Sequence, residues 1–279
     1  RRHTRYWRDW SSDVCSSDLL FNVAGLTANL LDVAGNLVNV TGAGSGTFSI
    51  SLLVDVPLVQ NILFISDTSR FVFAMGCNDY GSNTQDPMLI RWSDQNNPYE
   101  WTPDATNQAG SIRLSHGSEI ITAVQTRQEI VVFTDSSVYS LQYLGPPVVW
   151  GSQLLGDNTS IAGPNAAVIA SGVIYWMGVD KFYAYDGRIQ TLNCDLRRHV
   201  FNDFNIAQRS QVYCSTNEGF NEVWWFYCSE NSDQIDKYVV YNYLEHIRYY
   251  GSLTRTAWID SGLLDRKSTR LNSSHANIS

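Results

Sequence analysis

EIITAVQT (119–126), EIVVFTD (129–135), SVYSLQYL (137–144) and VVWGSQLL (148–155) follow one another with connections as short as Arg127-Gln128. Each run is rich in β-branched and aromatic residues, and Asp, Ser, Gly and Pro punctuate the gaps, which is the pattern of short strands joined by tight turns. Four strands in direct succession predict an antiparallel meander. One such sheet cannot bury two apolar faces alone, so it needs neighbours of its own kind.

Those neighbours are legible on both sides. Downstream lie AAVIAS (166–171), GVIYWMG (172–178), KFYAYDG (181–187) and RIQTLN (188–193), and then SQVYCST (210–216), EVWWFYCSE (222–230), DKYVVYNYL (236–244) and IRYYGSL (247–253). Upstream, RFVFAMGC (70–77), PMLIRWSD (87–94), the tight segment Pro98–Trp101 and Ser111–Leu114 make a first group. The groups recur roughly every 45 residues, the period of propeller blades. The expected fold is all-β: an incomplete β-propeller-like array of four-stranded antiparallel meanders with one short helix. A β-sandwich is the alternative. The helix follows Asp195, which can cap it, and sets Leu196, Val200, Phe201 and Phe204 on one face. Arg255-Thr-Ala-Trp258-Ile259 is expected to open a further meander.

The two ends read differently. Residues 265–279, DRKSTRLNSSHANIS, resemble the translation of a common sequencing adapter, and residues 1–19, RRHTRYWRDWSSDVCSSDL, resemble its translated reverse complement. The domain expectation is therefore an adapter artefact at 1–19, a variable lead-in at 20–68, a propeller-like β domain at 69–264 truncated at its C-terminus, and a second artefact at 265–279. The alternative for residues 1–19 is a natural Arg/Trp-rich arm. Within the lead-in, Gly42–Gly46 lacks the Lys and Ser/Thr of a phosphate-cradling loop and reads as linker.

The 279-residue chain carries 19 Lys and Arg against 27 Asp and Glu, a net charge of -8. Without the adapter-like ends, 12 basic residues face 23 acidic ones, a net charge of -11. An acidic chain repels phosphate, so a DNA-coating role is disfavoured unless the charges segregate in space, and no direct sequence-specific nucleic-acid binding is expected. No apolar run approaches the roughly 18 residues of a membrane helix.

Candidate chemistry is sparse. His116, His199 and His246 have no partner at ligand spacing, and Cys77, Cys194, Cys214 and Cys228 form no CxxC, so they read as buried thiols. The nearness of Cys194 to His199 is no sign of a nucleophile–base pair, which needs adjacency in space. Asp94, Glu100, Asp135, Asp180, Asp186, Glu222 and Asp236 are mostly in turn contexts, where a carboxylate bonds its own backbone. A glycoside hydrolase would need two of them across a cleft. Trp224-Trp225 put adjacent rings on opposite faces of one strand and read as packing, a sugar platform being the alternative. No catalytic, cofactor-binding or metal-ligating residue is assigned, and no cofactor is expected.

DPMLIRWSDQNNPYEWTPDATNQAGSIRLSHGSEI (86–120), SLQYLGPPVVWGSQLL (140–155), IAGPNAAV (161–168), GVIYWMGVDKFYAYDG (172–187) and NEVWWFYCSENSDQIDKYVVYNYLE (221–245) resemble a family of virion structural proteins from short-tailed bacteriophages and prophages. The chain is also distantly similar to the packaged-DNA stabilisation proteins of such phages. The resemblance covers the chain from about Ser69 onward. It implies a non-enzymatic virion protein at the head-to-tail junction or tail, stabilising or extending the portal and tail assembly. Its partners would be portal, tail subunits and copies of itself, and it would be assembled in the bacterial host cytoplasm. The alternatives are a glycan- or receptor-binding propeller on a virion or cell surface, and a propeller glycoside hydrolase.

Overall fold

The computed structural model describes residues 28–31, 37–40 and 55–254. Both adapter-like ends, the Gly42–Gly46 run and the Arg255–Ile259 segment lie outside the described residues. Strands β1 (Ala28–Leu31) and β2 (Leu37–Val40) pair antiparallel. The rest is four separate four-stranded antiparallel sheets, each made of consecutive strands. They are β3 to β6 (Ile62–Ile65, Val72–Met75, Leu89–Trp92, Gly110–Arg113), β7 to β10 (Ile120–Gln125, Ile130–Thr134, Ser137–Gly145, Val149–Asp157), β11 to β14 (Ala167–Ala170, Val173–Met177, Phe182–Tyr185, Ile189–Leu192) and β15 to β18 (Tyr213–Asn217, Glu222–Tyr227, Lys237–Asn242, Ile247–Ser252). A sandwich gathers its strands into two facing sheets. Four consecutive meanders make this a propeller-like array.

The chain divides into two compact units. One runs through Ser115 and includes Tyr143–Val149; the other holds His116–Gln142 and everything from Trp150 onward.

In the first unit the meander differs from the sequence reading at two strands. Its first strand is Ile62–Ile65, paired with Val72–Met75, so the sheet begins ahead of Ser69 in residues read as lead-in. Pro98–Trp101 is a loop, folded back so that Asp94 N–H donates to the Glu100 carbonyl at 2.8 Å. Proline has no N–H to give a ladder, which explains why that segment makes no strand. Its indole instead plugs the core beside Ala74, Cys77 and Leu89, with Nε1 donating to the Pro98 carbonyl at 2.9 Å. Arg91 is buried in β5. Its guanidinium donates to the carbonyls of Asn78 and Asp55 and lies 3.7 Å from the Tyr80 ring centroid. No sequence pattern marks this buried cation, since strand spacing does not reveal which carbonyls will converge on it.

In the second unit three meanders stack. The first strands stand side by side: β11 lies beside both β7 and β15, with a parallel bridge from Asn165 to Tyr213 and a 2.7 Å bond from Cys214 N–H to the Asn165 carbonyl. Middle strands are buried on both faces, as every residue of β8 and β13 shows, whereas the outermost strands β14 and β18 are largely open. That gradient is expected when sheets stack face to face around their first strands. Aromatic rings fill the space between sheets. Trp176 is fully buried, stacked on Tyr183 at 5.2 Å and edge-on to Phe133 at 5.1 Å. Trp225 meets Phe182 at 4.9 Å and donates Nε1–H to the Ala166 carbonyl at 3.2 Å. Burying rings of this size contributes on the order of 4–6 kcal/mol each before entropy is subtracted.

Turn chemistry fixes the registers. Between β11 and β12, Ser171 and Gly172 both take positive φ, 49° and 81°, the geometry of a two-residue hairpin. Between β8 and β9, the Thr134 hydroxyl accepts from Ser137 N–H at 2.8 Å. The helix, α1 (Arg197–Asn202), lies between the third and fourth meanders with Val200 buried, but Asp195 does not cap it: Leu196 holds the cap position without a side-chain bond. The chain enters α1 through a backbone turn, Arg197 N–H to the Cys194 carbonyl at 3.0 Å, which leaves no cap position for Asp195.

Candidate functional site

The polar residues singled out in the sequence are dispersed, each serving local structure. Asp135 accepts from both Ser118 N–H and Oγ–H at 2.8 and 2.6 Å, and Asp236 holds Ser229 in the same two-point clamp at 2.8 and 2.7 Å. These bonds hold the Asp135 carboxyl below the usual range despite partial burial. Asp94 accepts from Gln108 N–H, Glu100 from Thr102 N–H, and Asp186 from Gln190 and Arg188 N–H. Asp180 pairs with Arg197 at 3.1 Å, and Glu222 accepts from Trp224 Nε1–H at 2.9 Å. Most of these carboxylates thus terminate turns and loops, while Asp180 and Glu222 hold the side chains of Arg197 and Trp224.

The histidines occupy three elements. His116 contacts the Tyr139 hydroxyl through both backbone N–H and ring, His246 bonds the Tyr241 hydroxyl at 2.8 Å, and the His199 ring lies 4.3 Å from Tyr250. Among the described residues, no three or more of His, Cys, Asp and Glu are placed to hold a metal ion. Burial pushes the Cys194, Cys214 and Cys228 thiols up, and Cys77 to about 12. A nucleophilic thiol requires the opposite shift. Trp225 is core, while Trp224 on the other face stacks on Tyr238 at 4.8 Å and packs in the cluster of Phe226, Cys228 and Ile235.

What the structure does gather is an exposed surface on the fourth meander. Ile247, Tyr249 and Tyr250 of β18 are 50%, 37% and 51% exposed, and Leu244 in the preceding turn is 69% exposed. Phe220 belongs to the same end of the sheet, because Asn242 Nδ2–H donates to its carbonyl at 3.1 Å. Beside Tyr250, an open groove of about 520 Å³ is lined by Arg198, His199, Asn202, Asp203, Glu230 and Lys237, with Lys237 paired to Asp203 at 2.6 Å. Sequence reasoning identified IRYYGSL as a strand but missed its openness. The available signal was position: a fourth strand is the outermost, and this one offers a single charge.

No family model matches the sequence, and no curated protein matches it. Among solved structures, the chain is similar to Kluyvelomyces marxianus Hsv2 at 10% identity and a TM-score of 0.40, covering 82% of this chain and 60% of that one. It is similar to a chain of the S. cerevisiae complex of Dbp5 bound to Nup159, Gle1, IP6 and ADP, at 10% identity, a TM-score of 0.30, and coverage of 77% and 69%. The N-terminal domain of Nup159 also scores 0.30 at 10% identity, over 72% and 63%. The chain therefore spans 60% of the length of the first of these. The propeller-like architecture rests on the strand order and stacking of the chain's own sheets. No helix among the described residues is long and apolar enough to cross a membrane.

Proposed function

We propose that this chain is a non-enzymatic structural protein of a short-tailed bacteriophage virion, positioned at the head-to-tail junction or tail. It acts there by shape and contact, stabilising or extending the portal and tail assembly. Its partners are other virion proteins and copies of itself, assembled in the host cytoplasm.

The observation that carries this reading is the resemblance over residues 86–120, 140–155, 161–168, 172–187 and 221–245 to virion structural proteins. Two features of the site support it: most of the carboxylates are committed to turns, and the open surface is an apolar strand edge suited to protein contact. The decisive experiment is to sequence outward from this reading frame into its neighbours. Portal, terminase or tail genes on either side are the expected result. A neighbourhood of glycan-use or secretion genes would overturn the proposal and favour a cell-surface glycan-binding or hydrolase function.

A further inference from the structure

The outer edge of β18 is built for pairing. In the ladder with β17, Leu253 N–H donates to the Asp236 carbonyl at 2.9 Å, and the register continues through Gly251 opposite Tyr238, Tyr249 opposite Val240 and Ile247 opposite Asn242. Hydrogen-bonded positions alternate along an antiparallel edge, so these residues turn their backbone groups toward β17. Arg248, Tyr250 and Ser252 turn theirs outward, and β18 is the terminal strand of its sheet among the described residues.

Proteins protect such edges with charge, proline or bulges. The other outer strands expose mainly polar side chains: Ser111 and Arg113 on β6, Ser152 and Gln153 beside a single open Leu154 on β10, Gln190 and Thr191 on β14. In contrast, β18 exposes Ile247, Tyr249 and Tyr250, and the guanidinium of its one charged residue, Arg248, is folded 4.4 Å from the Tyr241 ring centroid.

We propose that β18 is a self-pairing edge, through which two copies of this chain join antiparallel about a two-fold axis at Tyr250. The register follows from the ladder, since outward-turned residues must oppose outward-turned residues. Centring on Tyr250 uses Arg248, Tyr250 and Ser252 together, forming about six backbone hydrogen bonds. It also sets Tyr249 against Gly251, whose missing side chain is replaced by the Tyr238 ring lying over it, so that Tyr249 of one copy meets Tyr238 of the other, and Ile247 against Leu253. Arg248 then faces Ser252, whereas centring on Arg248 would oppose two like charges. This self-complementarity, together with the absence of a carboxylate in Ile247–Ser252, favours a second copy over an unrelated extended peptide.

The inference rests on the reading of the chain as an assembly subunit that contacts copies of itself. Its test is independent of the gene neighbourhood: sedimentation velocity of the 279-residue chain from about 1 to 100 µM, a range that brackets a modest interface. The expected result is a reversible monomer–dimer equilibrium, weakened at least tenfold by Tyr250→Pro. That variant deletes an outward N–H and none of the bonds to β17. Tyr249→Lys, a change at a partly exposed side chain, gives a second reading through charge and is expected to weaken the dimer equally without altering the circular dichroism spectrum. A wild-type chain that stays monomeric throughout, or an oligomer that neither variant shifts, would overturn the proposal even if the flanking genes encode a virion.

Discussion

Glu129 bonds across two meanders of the second unit. Its Oε1 accepts from the Tyr185 hydroxyl at 2.6 Å, and its Oε2 accepts from the Ser140 hydroxyl and from Gln142 Nε2 at 3.4 Å, so one carboxylate ties the second meander to the third. Tyr185→Phe is expected to cost about 1–2 kcal/mol, because a hydrogen bond to a charged group is lost from a buried phenol. Glu129→Gln should cost a similar amount, and the double variant less than the total of the two, with a coupling of about 0.5 kcal/mol or more. Urea denaturation of the four species measures this, and strict additivity would show that the pair does not act as a unit. Buried phenols also predict the alkaline limit of the fold. Burial, reinforced by neighbouring Tyr241 and Tyr243, pushes Tyr175 from 10.0 to about 12, and Tyr185 and Tyr227 are raised as well. Above pH 10 the unfolded chain releases phenolic protons that the folded chain retains, so their stabilising contribution, intact below pH 10, is lost progressively toward pH 12. Tyrosine absorbance and near-ultraviolet circular dichroism, followed together in a base titration, should change in concert. Ionisation of these tyrosines with the dichroism unchanged would contradict the assignment.

At the scale of the element, turns and strand entries decide register. Gly117 leads into β7 with φ of 109°, and a Cβ there would fall 2.5 Å from Thr134 Oγ1, the hydroxyl that closes the β8–β9 turn. Gly81 also has positive φ, 67°, but nothing lies within 4 Å of its Cβ position. Gly117→Ala therefore combines backbone strain with a clash and is expected to cost about 2 kcal/mol or more, against about 1 kcal/mol for Gly81→Ala. Thermal melts of the two variants give the comparison, and equal losses would mean that the clash relaxes at no cost. The Ser118–Asp135 clamp adjoins Gly117, and Asp135 Oδ1 lies 2.9 Å from the Cβ position, so a side chain there would press on the clamp as well as on the turn.

At the scale of the whole molecule, charge sets what the surface attracts. With a net charge of -8, the chain is expected to leave duplex DNA unshifted in a gel assay at micromolar protein and about 150 mM salt. A salt-dependent shift would reveal a segregated basic surface and a direct nucleic-acid role. Protein contact is the better use of an acidic molecule that leaves Ile247, Tyr249 and Tyr250 of its fourth meander open.

Periodicity and turn residues alone determined the all-β class, the meanders from Glu119 onward and the place of the helix, because alternation, β-branching and Gly/Asn/Asp turns act over a few residues. The carboxylates' turn roles were legible for the same reason. Where a segment's state depends on distant partners, local pattern was insufficient: Ile62–Ile65 is a strand because Val72–Met75 pairs with it, and Pro98–Trp101 is a loop whose indole found a cavity. Only the tertiary structure decided that Trp225 is core, that Arg91 is buried and that β18 is open, since burial is a property of what stacks on a strand, and neighbouring sheets are chosen by long-range packing that no local spacing encodes.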